Sequence, residues 1–258
     1  MTLFSLLLLL LFILHSSSFL TLAEDEYTYA EGTSNGPENW RNLNPKWKVC
    51  GDGKLQSPID IQLKGVMELP QLGKLEKHYK PAPAVLKNRG HDIMLQWSGD
   101  AGRFNINGTY YSLKQCHWHT PSEHKLNARK FDMELHMLHQ NSQGEVAVIS
   151  ICYEIGCPDP FLSKLLKDIK SIGDKDIDIG VINPETIKFG KGKYYRYVGS
   201  ITTPPCTEGV TWTVMKKVRK VSKEQLEVLK GAVHHGYEEN ARPTQEVGER
   251  QVWLYTKK

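Results

Sequence analysis

His117 and His119 are separated by one residue, and a third histidine, His136, lies in the next apolar run. This spacing constrains the chain more than any other feature. Side chains alternate sides along a strand, so a His-x-His pair presents both rings to one face only when the backbone is extended. At about 3.3 Å per residue the two backbone positions are then about 7 Å apart, close enough for both rings to reach one ion. Imidazole is the commonest protein ligand of zinc. A third ring from a following strand completes a set of three. Three histidines with an open fourth position are the pattern of a catalytic zinc site, not a structural one. Gln115 shares the face of His117 and His119, and Glu134 shares the face of His136. An amide and a carboxylate two residues before a ligand suit the acceptor role that fixes the other N–H of a metal-bound ring.

The rest of the sequence supplies a sheet for such a site. Strand-like runs recur at residues 93–97, 110–118, 131–139, 146–153, 194–200 and 210–218, many bounded by Gly, Pro, Asn or Asp. Asn107-Gly108 and Gln143-Gly144 are hairpin signals. Helices are few. Residues 160–172 place Phe161, Leu162, Leu165, Leu166 and Ile169 on one stripe, and Ser222-Lys223-Glu224-Gln225 is a capping box opening a helix to about Ala232. No repeat or linker divides the chain. The expected fold is mainly β (α+β), a single domain with a large, mostly antiparallel sheet and short peripheral helices.

Composition narrows the function classes. The formal charge of +4 on 258 residues is mild and no basic run is long, which argues against nucleic acid as a partner. Residues 3–14 are an apolar run of signal-peptide length, followed by Thr21-Leu22-Ala23, which has small residues at cleavage spacing. Residues 1–23 are read as a secretory signal and residues 24–258 as the mature domain. No second apolar run of spanning length follows, so no membrane span is expected in the mature chain. The secretory reading permits disulfides among Cys50, Cys116, Cys152, Cys157 and Cys206, and five cysteines leave at least one unpaired. Residues alone do not choose the pairing. Asn107-Gly108-Thr109 is a glycosylation sequon.

Residues 111–139 resemble the zinc-site region of α-class carbonic anhydrases, especially their secreted plant branch. Trp40, Gln56-Ser57-Pro58-Ile59, Asn88-x-Gly90-His91, Gly199-Ser200-Ile201-Thr202-Thr203-Pro204-Pro205-Cys206, Trp212 and Asn240-x-Arg242-Pro243 fall in the family's order. The resemblance runs from about residue 27 to the C-terminus. It implies a central twisted sheet of about ten strands, a conical cavity, and Zn2+ on His117, His119 and His136. The implied reaction is reversible hydration of CO2 to bicarbonate and a proton by attack of zinc-bound hydroxide. Thr202 and Glu123 match the pair that orients the hydroxide. Thr203, Leu138, Val148, Ile201, Val210 and Trp212 match substrate-pocket positions. His91 matches a proton-shuttle histidine, for which a pKa near 6.5 is suited. Cys50 and Cys206 match the family's disulfide. The implied location is the secretory pathway, extracellular or in plastids after secretory transit; monomer and dimer remain open.

Two departures stand out. Arg89 and Met94 replace cavity asparagines of animal members, and Met94 removes a hydrogen-bonding group. Two rivals also remain. His117-x-His119 with Glu123 fits the core of a cupin motif with three histidines and one glutamate as manganese ligands, but Tyr111 and Lys130 occupy its glycine positions. The chain also resembles dioscorins, yam tuber storage proteins, so a weakly catalytic or non-catalytic storage protein on the same fold is the alternative.

Overall fold

Alternating burial along extended segments builds one wide sheet. The computed structural model describes residues 27–189 and 192–256; the expected signal segment, residues 1–23, lies outside them. In chain order the strands are β1 (Asp60–Ile61), β2 (Val66–Glu68), β3 (Glu76–Tyr79), β4 (Ala82–Asn88) and β5 (Ile93–Trp97). There follow β6 (Gly102–Ile106), β7 (Thr109–His119), β8 (Lys125–Leu126), β9 (Met133–Gln140) and β10 (Val146–Ile155). The last are β11 (Ile177–Ile182), β12 (Tyr194–Ser200), β13 (Glu208–Met215), β14 (Arg219–Val221) and β15 (Val252–Tyr255). Thirteen of them form one sheet, along a path of ten in the order β11-β4-β5-β7-β9-β10-β13-β12-β15-β2. Most neighbours are antiparallel; β10 pairs in parallel with β13 and β14, and β15 with β2.

The two faces of the central strands differ. Cys116 and Trp118 of β7, Leu135 and Met137 of β9, and Ile149 and Ile151 of β10 enter one large apolar core. Helices α1 (Trp40–Leu43) and α2 (Val49–Asp52) lie near the N-terminus; α3 (Pro160–Ser171) and α4 (Lys223–Ala232) cover that core. Phe161, Leu162, Leu165 and Ile169 of α3 are buried, as the stripe in the sequence requires. Asp159 caps α3 through the N–H groups of Phe161 and Leu162, a contact of a kind that contributes about 1 kcal/mol. Ser222 and Gln225 form the expected capping box of α4. The opposite face of the same strands carries Gln115, His117 and His119, then Glu134 and His136, then Val148 and Ser150.

Asn107 and Gly108 both have positive φ, so the β6–β7 hairpin turns on the two residues that tolerate it, and the sequon asparagine is exposed. Gly199 is dictated by close approach: a Cβ there would lie 2.1 Å from Ser57 Oγ. Cys50 and Cys206 form a disulfide, joining α2 to the segment after β12. Cys116 and Cys152 are buried free thiols, and Cys157 is free and exposed. Among the described residues no helix is long and apolar enough to cross a membrane.

Candidate metal centre

Strand register brings the three histidines together. In the β7–β9 pair His117 stands opposite His136, and His119 opposite Glu134. Ring centroids are 5.0 Å apart for His117 and His119, 5.3 Å for His117 and His136, and 4.6 Å for His119 and His136. One nitrogen from each ring lies within 4.8 Å of the others.

The other nitrogen of each ring is held from outside. Nδ1 of His117 donates to Gln115 Oε1 at 2.9 Å, Nδ1 of His119 to the Asn240 carbonyl at 2.8 Å, and Nε2 of His136 to Glu134 Oε1 at 2.8 Å. All three partners are acceptors, so each must receive the ring proton. The lone pairs of the inner nitrogens are thereby left facing one another. Nε2 of His119 is buried with no hydrogen-bond partner. Burial pushes the pKa of His117 well below the usual imidazole value and that of His136 below it, despite opposing contributions from Asp92 and Glu134. Neutral rings with convergent lone pairs are what a divalent zinc ion requires, and the donor set fits it.

A second cluster, His124, Glu134 and His136, also has metal-ligand spacing. Its polar atoms are already engaged. Glu134 accepts from the N–H groups of Glu123 at 2.8 Å and His124 at 2.7 Å, from His124 Nδ1 at 2.6 Å, from His136, and from the Ser150 hydroxyl. Burial would raise the Glu134 pKa, but His124 and His136 hold it well below the ordinary carboxylate range. Nε2 of His124 pairs with Tyr197 Oη at 2.7 Å, and Tyr197 Oη with Ser57 Oγ at 2.9 Å. Ser57 Oγ in turn accepts from the Ser200 N–H at 3.0 Å. This chain runs from a histidine's partner to the segment carrying Thr202. Asn240 sits in a motif visible in the sequence and His124 directly follows Glu123, but neither was assigned a role there.

A cavity of about 80 Å3 opens beside the rings. Its lining includes Gln115, His117, His136, Leu138, Val148, Ile201, Thr202, Thr203 and Trp212, as expected, and also Arg89. Val210, the Thr202–Glu123 pair and His91 stand apart from this lining or from one another. Val210 is not on this lining; it is buried behind it, in the cluster holding Val148 and Trp212. The Thr202–Glu123 hydrogen bond is not formed. Glu123 Oε1 accepts from the Arg242 N–H at 3.0 Å, while Oε2 has no hydrogen-bond partner and is turned toward the rings, 3.6 Å from His119 Nε2. His91 is also absent from the lining, with its ring centroid 5.7 Å from that of Tyr27 and 6.4 Å from that of Tyr237. Burial lowers its pKa below 6.5, against the opposing charge of Asp92, so it is not the unperturbed group the sequence suggested. Asp92 is itself fully buried and ion-paired with Arg89.

Fold and site together define a mainly β protein, dominated by one wide sheet, with a three-histidine cluster that could hold a metal ion. The family model for eukaryotic-type carbonic anhydrase matches residues 35–256, and the chain belongs to that family. It is 50% identical over 232 residues to alpha carbonic anhydrase 4 of Arabidopsis thaliana, covering 90% of this chain and 86% of the relative. It is 44% identical over 257 residues to dioscorin dioA3 of Dioscorea japonica, covering 98% and 95%. Among solved structures, dioscorin complexed with ascorbate superposes with a TM-score of 0.89 at 43% identity, covering 91% of this chain and 99% of that one. The α-carbonic anhydrase of Thermovibrio ammonificans, solved with the inhibitor sulfanilamide, gives 0.78 at 33% identity, with coverage of 88% and 98%.

Proposed function

We propose that this chain catalyses the reversible hydration of CO2 to bicarbonate and a proton, with Zn2+ held by His117, His119 and His136. The observation that carries this reading is the set of three inner ring nitrogens left with unspent lone pairs by outer acceptors. Zinc bound there supplies Lewis acidity, generating a nucleophile from water at neutral pH. The remaining work falls to side chains. CO2 carries no charge, and Leu138, Val148, Ile201 and Trp212 offer it an apolar wall beside the rings. Ionised Glu123 is acceptor-only, and its Oε2 is the natural receiver for the Thr202 hydroxyl proton. A Thr202 hydroxyl fixed in that direction keeps a lone pair toward the cavity and orients the nucleophile. Thr203, on the same wall, contacts the product. His91 takes up the proton and passes it to buffer; its lowered pKa leaves it neutral at pH 7 and a weaker base than a free imidazole.

A second reading has its own support. The likeness to dioscorins extends over nearly the whole chain, so a storage protein with weak or no catalysis fits the same scaffold. We place the chain in the secretory pathway in either case, since the Cys50–Cys206 bond suits an oxidising compartment. Stopped-flow CO2 hydration by the purified chain, with zinc quantified on the same sample, separates the two. Catalysis is expected at one zinc per chain. Thr202→Ala should lower kcat/KM by about tenfold or more with zinc retained. A fully zinc-loaded chain without hydration activity sinks the enzymatic reading and favours storage.

A further inference from the structure

Behind the metal face, strand alternation points one arginine the other way. Tyr195 and Tyr197 of β12 pack in the cluster that flanks the metal cavity, whereas Arg196 between them faces the opposite side, across from Thr213 of β13. Arg196 is only 7% exposed. Its Nε donates to Thr213 Oγ1 at 3.0 Å, and its guanidinium lies 5.1 Å from the Tyr194 ring centroid. No ion pair among the described residues includes it, and the ionisable groups that act on it are the phenols of Tyr194 and Tyr111. A buried guanidinium without a carboxylate is costly, because its desolvation goes uncompensated.

Arg196 borders a cleft of about 520 Å3, much larger than the cavity at the metal, with Leu72, Ile106, Val198 and Trp253 among its walls. A second arginine, Arg250, also borders it, but is occupied. Its Nε donates to the Val247 carbonyl at 2.9 Å, and its terminal nitrogens reach the carbonyls of Val198 and Glu246. One guanidinium end remains with two N–H edges to offer. That geometry, one planar fork with its end free, matches a single carboxylate taken two-pronged, and the engaged Arg250 adds a second positive charge at the border. The apolar walls select a neutral, apolar body behind the carboxylate.

We propose that this cleft binds a small organic monocarboxylate, its head on Arg196 and its apolar body against Trp253, Ile106 and Val198. The site is separate from the metal centre and does not depend on the catalytic reading. Benzoate is the probe, titrated into the zinc-loaded chain while the indole N–H signals of Trp253 and Trp212 are followed by NMR. Trp253 reports the cleft and Trp212 the metal cavity. Benzoate should shift the Trp253 signal saturably, and uncharged benzamide should not. Arg196→Gln should weaken benzoate binding about tenfold or more, the effect of losing a charge-assisted contact. Val198→Trp, which fills the cleft from its exposed rim, should abolish binding with zinc content unchanged; it decides the matter if Arg196→Gln does not fold. Benzoate that moves only Trp212, benzamide that binds as well as benzoate, or a Val198→Trp chain that binds like the parent overturns the proposal.

Discussion

Two histidine clusters share His136 and lie side by side, yet they differ in how their hydrogen-bonding capacity is spent. In the cluster of His117, His119 and His136, every outer nitrogen has an acceptor and the inner nitrogens face one another. In the cluster of His124 and Glu134, both histidine nitrogens and both carboxylate oxygens are engaged by protein groups. Spacing alone qualifies both as metal sites. What separates them is the count of lone pairs left over. A satisfied polar network rigidifies its surroundings, whereas an unsatisfied convergent one calls for an ion.

That contrast can be broken by substitution. The largest effect is expected for His119→Ala, which should abolish stoichiometric zinc by elemental analysis; retained zinc would move the site elsewhere. Glu134→Gln should cost about 10–100-fold in zinc affinity by competition with a chelator, because it changes the group that orients His136. An unaltered affinity would make Glu134 merely structural. His124→Phe belongs to the satisfied cluster alone. It should leave zinc stoichiometry intact and destabilise the fold by about 1–3 kcal/mol in urea, since it strips a buried carboxylate of a donor. Zinc loss comparable to that of His119→Ala would erase the distinction.

The last test concerns His139, a buried histidine whose two nitrogens lie near Tyr79 Oη at 2.7 Å and the Ala147 carbonyl at 3.3 Å. Burial pulls its pKa down to about 3. The unfolded chain, with an ordinary histidine near 6.5, binds a proton over that window while the folded chain does not. Stability should therefore fall as pH drops from about 6.5 toward 3, by at most about 1.4 kcal/mol per pH unit from this group. His139→Gln should make the slope of unfolding free energy against pH shallower by up to one proton. An unchanged slope would mean that His139 titrates normally.

Much of the metal site was legible because it follows a period of two. Gln115, His117 and His119 had to share a face, and so did Glu134 and His136. The resemblance supplied their pairing into one site and the Cys50–Cys206 link. The register that sets His117 opposite His136 is a tertiary outcome that no local pattern specifies. The outer partner of His119 is a backbone carbonyl, that of Asn240, which any residue type could supply. The resemblance alone assigned Val210 to the pocket, since apolar side chains read alike whether they line a cavity or stand behind its wall. The altered pKa of His91 depends on burial beside Asp92 and Arg89, which sequence spacing does not measure. The sheet was visible as a set of strands, and the expected ten or so match its path of ten; short strands such as β14 carry too few residues to show alternation.

The antiparallel pair of β7 and β9 also has a place in the order of synthesis. It contains all three ring ligands and two of their outer acceptors, and its contacts are local enough to form early. The Asn240 carbonyl, Thr202 and Cys206 belong to chain made later. In a nascent chain the three ring residues therefore precede the segment carrying Thr202, and Cys50 precedes its partner by 156 residues. The C-terminal segment, with the Asn240 carbonyl that holds His119, is thus added to strands that already carry all three rings.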